Sequence, residues 1–241
     1  VLANVEEKKE EPKHWSYDGE SNPEHWAEIE KTSSCGGSHQ SPIDIVAADA
    51  ILEPSGLAAA DLNYHGSTTI HDVINNGHSI QYNFDDKENY VEYKGTRYDL
   101  AQFHFHAASE HTVNGIHYPL VIHMVHVSEA KDYVVFAVMV TEGEANENFG
   151  FLEEFLPIQP GEKKAVGKTH SFSNYILENF EHYYYQGSLT TPPCTEAVNW
   201  FIFKNPIAAS ADQVKALAEL MPRNNFRPTQ PLNDRKVYIN E

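Results

Sequence analysis

Cysteine is scarce in this sequence, and long hydrophobic runs are absent from it. The 241 residues include only Cys35 and Cys194, which excludes a disulfide-dense scaffold and leaves either one bridge or two buried thiols. The longest apolar run, Tyr133–Val140, has the length of a strand and falls short of the roughly 18 residues that a membrane-spanning helix needs. We therefore expect a soluble protein with no membrane insertion.

Basic residues are also few. Seventeen lysines and arginines stand against 35 acidic residues, and the formal charge of -18 argues against nucleic acid or an anionic membrane as a partner. Hydrophobic residues make up 41% of the chain and aromatic residues 12%, which suffices for one sizeable core and is not the composition of a disordered protein. The composition therefore predicts a globular protein.

The first 13 residues differ from the rest. They include the charged run Glu6–Glu11 and have almost nothing to bury, so we expect residues 1–13 to form a charged, mobile N-terminal arm. Residues 14–241 contain no repeat and no linker, and we interpret them as one domain.

Strand patterns dominate this domain. A hairpin is predicted where Thr69–Ile74 and Ser79–Phe84 flank the turn Asn75-Asn76-Gly77. Further strands are predicted at Tyr90–Tyr93, Arg97–Ala108, His117–Val127 and Tyr133–Val140. Helices are predicted only at Glu147–Phe155, Ser171–Leu177 and Ser210–Leu220, the last with Ser210 as its cap. The fold class is therefore predominantly β, with mixed α/β content and short peripheral helices.

Two histidines two residues apart are the clearest chemical signal. Side chains alternate along a strand, so His104 and His106 share one face while Phe103 and Phe105 take the other. His123 lies in a second apolar strand and can join them if the two strands pair. Three imidazoles suit zinc and leave a fourth position open, as in a catalytic site. A structural zinc site or ordinary buried histidines are the alternatives, because the chain contains 14 histidines.

Four further motifs accompany these histidines: Gln40–Ile43, Asn75–His78, Ser109–Val113 and Ser188–Cys194. Together they closely resemble the α-class carbonic anhydrases, in particular the exported bacterial type, from about Trp15 to Tyr238. The resemblance implies one domain built on a large twisted, mostly antiparallel sheet. It implies a Zn²⁺ lyase that reversibly hydrates carbon dioxide to bicarbonate and a proton, with His104, His106 and His123 as metal ligands. In such enzymes a zinc-bound hydroxide attacks carbon dioxide.

The resemblance also assigns roles to polar residues. Thr190 and Glu110 match the pair that orients the hydroxide, and His78 matches the proton shuttle. Tyr17, Asn76 and Gln81 match positions that order water between the metal and His78. Without the resemblance, Glu110 would be read as a surface carboxylate and His78 as an exposed turn histidine.

An apolar wall for carbon dioxide is implied beside the metal. The matching residues are Val125, Val135, Leu189, Val198 and Trp200. Val125 shares strand parity with His123, which supports this assignment, whereas Val198 can also be plain core.

Outer partners of the ligand histidines are implied as well. Gln102 matches the partner of His104, and the backbone carbonyl of Asn225 matches that of His106. The family usually places a glutamate two residues before the third histidine, but this chain has Val121. Because of this departure, the zinc affinity and the turnover rate could be lower than is usual in the family.

The family's bacterial members commonly pair cysteines at the positions of Cys35 and Cys194, which favours the bridge. A disulfide implies an oxidising compartment, and the start at Val1 fits a processed protein, so we expect a periplasmic or secreted location.

Two rival functions remain: a related binding domain without turnover, and a zinc hydrolase of esters or peptides, although no His-Glu-x-x-His motif is present. The sequence leaves a homodimer open.

Overall fold

The computed structural model describes residues 14–65, 68–171 and 180–241. The predicted N-terminal arm at 1–13 lies outside the described residues. Of the predicted helix Ser171–Leu177, only Ser171 is among them.

Fifteen strands lie within the described ranges. They are β1 Asp44–Ile45, β2 Ile51–Leu52, β3 Leu62–Asn63, β4 Thr68–Asn75, β5 Ile80–Asn83, β6 Tyr90–Tyr93, β7 Thr96–His106, β8 Thr112–Val113, β9 Leu120–Val127, β10 Tyr133–Glu142, β11 Lys163–His170, β12 His182–Gly187, β13 Val198–Phe203, β14 Ile207–Ala209 and β15 Tyr238–Asn240.

Helices in the same ranges are short. They are α1 Trp26–Ile29, α2 Phe151–Phe155 and α3 Ala211–Ala218, with 3-10 turns at Gly19–Ser21, Pro23–His25, Ala47–Asp49, Ala59–Asp61 and Glu147–Phe149. The helix predicted at Glu147–Phe155 is thus a 3-10 turn followed by α2. Ser210 caps α3 as predicted, because its hydroxyl accepts the backbone N–H of Gln213 and the Gln213 side chain accepts that of Ser210.

Thirteen of the strands form one sheet. Its main order is β11-β4-β5-β7-β9-β10-β13-β12-β15-β2, with β14 on β10 and the β3-β6 pair on β7. Only the pairings of β10 with β13, of β10 with β14 and of β15 with β2 are parallel; the rest of this sheet is antiparallel. The prediction of a mostly antiparallel sheet with short helices is therefore confirmed. No helix in the described part of the chain is long and apolar enough to cross a membrane.

The two faces of the sheet carry different chemistry. On β7, Phe103 and Phe105 enter the larger apolar cluster, whereas His104 and His106 face the opposite side, as strand alternation requires. A second apolar cluster lies on the histidine side, with Val121, Val125 and Trp200 among its members. The two predicted metal ligands of β7 therefore lie on one face of the sheet, with the larger apolar cluster on the other.

The hairpin of β4 and β5 forms as the sequence predicts. The strands pair antiparallel, with Asn75 opposite Ile80. Gly77 in the turn has a φ of 84°, a left-handed conformation that glycine adopts without steric cost. His78 lies in this turn, between β4 and β5.

Candidate metal centre

Pairing of β7 with β9 brings three histidines together. The register sets His104 opposite His123, and His106 lies two residues further along β7. One nitrogen of each ring lies within 4.8 Å of the others, and the ring centroids are 4.7 to 5.2 Å apart. These residues form a cluster with the composition and spacing of a three-histidine metal site.

Hydrogen bonds orient two of the rings. His104 Nδ1 donates to Gln102 Oε1 at 2.8 Å, and His106 Nδ1 donates to the Asn225 carbonyl at 2.6 Å. The Nε2 atoms of both rings are therefore free to coordinate, and His106 Nε2 is buried without a hydrogen-bond partner among the described residues. Burial lowers the pKa of His104 well below its usual value, so this ring is in the neutral form that binds metal. The residues present therefore fit a metal ion.

The third ring lacks such support, because neither nitrogen of the His123 ring has a hydrogen-bond partner among the described residues, whereas His104 and His106 are each held through Nδ1. His123 Nε2 is buried and has no hydrogen-bond partner within the described ranges, and the same holds for Nδ1 of the neighbouring His111. Val121 lies on the same strand and face as His123, is fully buried and offers no polar atom. Burial lowers the pKa of His123 well below its usual value, so this ring too is neutral.

Glu110 lies next to the cluster and is fully buried. Its Oε1 accepts the backbone N–H of Arg227 at 3.1 Å and lies 3.3 Å from His106 Nδ1. The Thr190 hydroxyl is near enough to lower the pKa of this carboxyl, although Oε2 has no hydrogen-bond partner of ordinary geometry among the described residues. Burial is the larger effect and raises the net pKa of Glu110 above its usual value.

The loop that carries Thr190 is fastened at several points. Cys194 forms a disulfide with Cys35, with an S–S distance of 2.12 Å, which confirms the predicted bridge. Gln40 Nε2 donates to the Cys194 carbonyl at 3.2 Å, and Ser34 N donates to the Pro193 carbonyl at 2.9 Å. The disulfide and these bonds hold the Thr190 loop against the N-terminal segment.

Three of the five predicted apolar residues lie in one row across the sheet. Val125 pairs with Val135, and Val135 pairs with Trp200, which is buried with its ring centroid 5.0 Å from that of His123. Val198 is buried in the same cluster, and Leu189 packs against it. This row forms an apolar wall beside the three histidines.

His78 lies under an aromatic cover at the end of the hairpin. Its ring stacks on Trp15, with centroids 3.7 Å apart and planes at 16°, and Tyr17 lies 6.2 Å away. His14 Nε2 is 3.1 Å from His78 Nε2. Burial and the interaction with His14 both lower the pKa of His78. Burial also raises the pKa of Tyr17 well above its usual value, which keeps this phenol protonated.

Asn225 joins His78 to the metal cluster. Its side-chain Nδ2 donates to the His78 carbonyl at 3.0 Å, its Oδ1 accepts from Ala107 N at 2.8 Å, and its carbonyl accepts from His106. Asn76 and Gln81 line the same region, with Asn76 Nδ2 3.4 Å from Gln81 Oε1. The hairpin turn and the metal-binding strand are therefore held in fixed relation.

Sequence reasoning missed Arg227 and Trp15. The Arg227 guanidinium is buried, donates to Gln40 Oε1 at 2.8 Å and lies over the Trp26 ring. Burial lowers its pKa to about 10. The only sequence signal was the position of Arg227 two residues after Asn225, because its partners lie near residue 40, far away in the chain.

Comparisons with known proteins agree with this geometry. Residues 21–241 match the family model described as eukaryotic-type carbonic anhydrase. The curated carbonic anhydrase of Klebsiella pneumoniae is 39% identical over 229 residues, which cover 93% of this chain and 90% of that protein. The carbonic anhydrase of Neisseria gonorrhoeae is 35% identical over 226 residues, covering 93% of this chain and 87% of that protein.

Solved structures of carbonic anhydrases are also similar to this chain. The α-carbonic anhydrase of Thermovibrio ammonificans, in complex with the inhibitor sulfanilamide, matches with a TM-score of 0.86 and 40% sequence identity. The match covers 93% of this chain and 98% of that one.

Proposed function

The chain belongs to the eukaryotic-type carbonic anhydrase family and is a carbonic anhydrase, and from that premise we propose that it uses zinc to hydrate carbon dioxide reversibly to bicarbonate and a proton. The observation that carries this proposal is the cluster of His104, His106 and His123, whose ligand atoms lie within 4.8 Å of one another. Three neutral nitrogens suit Zn²⁺ and leave one position open for chemistry.

Zinc, when bound, acidifies a coordinated water and so supplies a hydroxide nucleophile near neutral pH. Thr190 would orient that nucleophile, since its hydroxyl can donate to Glu110 and accept a hydrogen bond with its remaining lone pair. Glu110 ionises more readily when a cation is held nearby, which opposes the effect of its burial. The apolar wall of Val125, Val135 and Trp200 would hold an uncharged substrate, with Leu189 and Val198 completing it.

Proton release would use His78. Its ring nitrogen lies 3.1 Å from that of the exposed His14, and its lowered pKa leaves it neutral and able to accept a proton near physiological pH. Tyr17, Asn76 and Gln81 would order the water between the metal cluster and His78. Trp15 would hold the ring beside the exposed His14, from which buffer can collect the proton.

The disulfide supports a location outside the reducing cytoplasm. A bridge between Cys35 and Cys194 persists in oxidising compartments, so we propose a periplasmic or secreted enzyme.

Metal analysis together with a carbon dioxide hydration assay tests the function. We expect zinc to co-purify and stopped-flow hydration to be fast, with activity lost on chelation and restored by zinc. A chain that holds zinc without hydration would instead be the non-catalytic binding domain. Ester or peptide hydrolysis that exceeds hydration would favour the zinc hydrolase.

A further inference from the structure

A row of hydrogen-bonded side chains runs from the turn that carries His78 across the β4–β5 hairpin. Asn76 Nδ2 donates to Gln81 Oε1 at 3.4 Å, and Gln81 Nε2 donates to Asn83 Oδ1 at 2.8 Å. Asn83 Nδ2 then donates to Asp72 Oδ1 at 2.8 Å. The register makes this row continuous, because Asp72 pairs with Asn83 and Gln81 follows on the same face of β5.

One carboxylate sets the direction of the whole row. An ionised Asp72 can only accept, so Asn83 must turn its NH₂ group toward it. The oxygen of Asn83 then faces Gln81, which must donate its own NH₂ group. As a result, the oxygen of Gln81 faces Asn76, in the turn that carries His78.

Asn76, at the other end of the row, has the same orientation, but its contact with Gln81 is weak. Asn76 Oδ1 accepts the backbone N–H groups of His78 at 2.9 Å and Ser79 at 2.8 Å, which leaves its Nδ2 toward Gln81. The 3.4 Å contact between Asn76 and Gln81 is at the limit of a hydrogen bond. The stronger anchor is therefore Asp72.

The surroundings of Asp72 favour its ionised form. Its side chain is buried and burial raises its pKa, but hydrogen bonds with Asn83 and His71 and the charge of Lys163 outweigh burial and lower the net pKa. His71 Nδ1 lies 2.6 Å from Asp72 Oδ2, and Lys163 Nζ lies 3.6 Å from it. The acceptor-only form therefore persists at neutral pH.

We propose that Asp72 is a positioning residue for proton release, acting through Asn83 to hold Gln81 with its oxygen toward Asn76 and the turn that carries His78. This rests on the proposed function of His78 as proton acceptor. A water that passes a proton outward donates one hydrogen along the path and has one hydrogen left over. Gln81 Oε1 accepts that second hydrogen. An inverted Gln81 would donate its NH₂ group and occupy the water lone pair that must receive the proton.

Asp72→Asn tests the proposal, because an amide at position 72 can donate as well as accept and frees both neighbouring amides to invert. We expect kcat for hydration to fall about fivefold, the rate equivalent of one typical net hydrogen bond, while kcat/KM keeps its wild-type value. The two constants separate because kcat includes proton release and kcat/KM reports the carbon dioxide step. Imidazole buffer should restore kcat, and Asp72→Glu, which keeps an acceptor-only group, should lose less.

Asp85→Asn is the matched control. Asp85 lies 3.5 Å from His71 Nε2 and is an acidic residue like Asp72, but within the described part of the chain it makes no hydrogen bond with Asn83. This variant should keep wild-type kcat. If it loses kcat as Asp72→Asn does, the effect is one of surface charge and the proposal is overturned.

Further outcomes also decide. Equal falls in kcat and kcat/KM in Asp72→Asn, or no fall in kcat, would overturn the positioning role. Should Asp72→Asn fail to fold, Asn83→Ala breaks the same row at the next link and must show the same kcat loss. Absence of hydration in the zinc-loaded wild type would instead refute the proposed function.

Discussion

Two buried ring nitrogens, Nε2 of His123 and Nδ1 of His111, have no hydrogen-bond partner in the part of the chain that the structure describes. The His111 ring centroid lies 6.4 Å from that of His123, and Val121 shares the strand face of His123. Metal-binding histidines normally donate their second N–H to an acceptor, which fixes the ring. Here the side chain at position 121 provides none.

Val121→Glu should therefore slow zinc dissociation or raise the hydration rate, since outer partners are typically worth about 10- to 100-fold in affinity or activity. The cost is burial of a carboxylate, which lowers stability if it cannot reach a ring nitrogen. Zinc dissociation kinetics and hydration rate are measured for Val121→Glu and for the control Val121→Met, whose side chain is similar in size to glutamate but carries no charge. No gain in either quantity with the fold intact would mean that His123 is already adequately held.

Thr190→Ala should separate metal binding from chemistry. The hydroxyl near Glu110 is not a ligand, so zinc content should stay at the wild-type level. Hydration should fall by about 100-fold, as for other single positioned hydrogen-bond groups. Zinc stoichiometry and stopped-flow rates check both expectations, and Thr190→Ser should retain most of the rate. A loss of zinc in Thr190→Ala would contradict an orienting role.

At the scale of elements, the segment before α1 reaches over the hairpin turn and brings His14 and Trp15 onto His78. The interaction with His14 is the smaller of the two causes that lower the pKa of His78, after burial. The segment therefore sets both the position and the proton affinity of this ring.

His14→Ala should move the acid limb of kcat to higher pH. His78 must be neutral to accept a proton, and removal of His14 lets its pKa rise toward the usual value. The shift is partial because burial remains. The kcat–pH profile is compared with that of His25→Ala, a partly exposed histidine whose Nδ1 lies 3.6 Å from a carboxylate oxygen of Glu28. A shift to lower pH, or none, would contradict this electrostatic role.

Strand parity explains how much of the site the sequence predicts. The period of two puts His104 and His106 on one face, and the apolar run around His123 marks a partner strand. Periodicity does not show which residues of two strands lie opposite each other. The prediction that His123 joins His104 and His106 therefore depends on the family resemblance. Contacts between distant segments, such as Arg227 with Gln40 or Trp15 with His78, leave no local pattern and were missed. The length of the helix predicted at Glu147–Phe155 is overestimated, because the first part of this segment, Glu147–Phe149, forms a 3-10 turn.

At the scale of the whole molecule, the Cys35–Cys194 bridge closes a loop with a sequence separation of 159 residues. The Cys35→Ala/Cys194→Ala variant should lose about 2 to 5 kcal/mol of unfolding free energy, because the unbridged denatured chain gains freedom. Denaturant unfolding measures this loss. The Thr190 loop should also loosen, and hydration should fall with zinc still bound. Equal stability with and without the bridge would contradict the account.

Zinc content and carbon dioxide hydration in His106→Ala test the central claim most directly. His106 Nε2 is buried without a hydrogen-bond partner among the described residues, and its Nδ1 is held by Asn225, so the ring is fixed to serve as a ligand. We predict one zinc per chain in the wild type and in the His25→Ala control. In His106→Ala, zinc and hydration activity should be lost together. Near wild-type hydration in zinc-free His106→Ala would contradict the assignment of this chain as a zinc carbonic anhydrase that works through its three-histidine cluster.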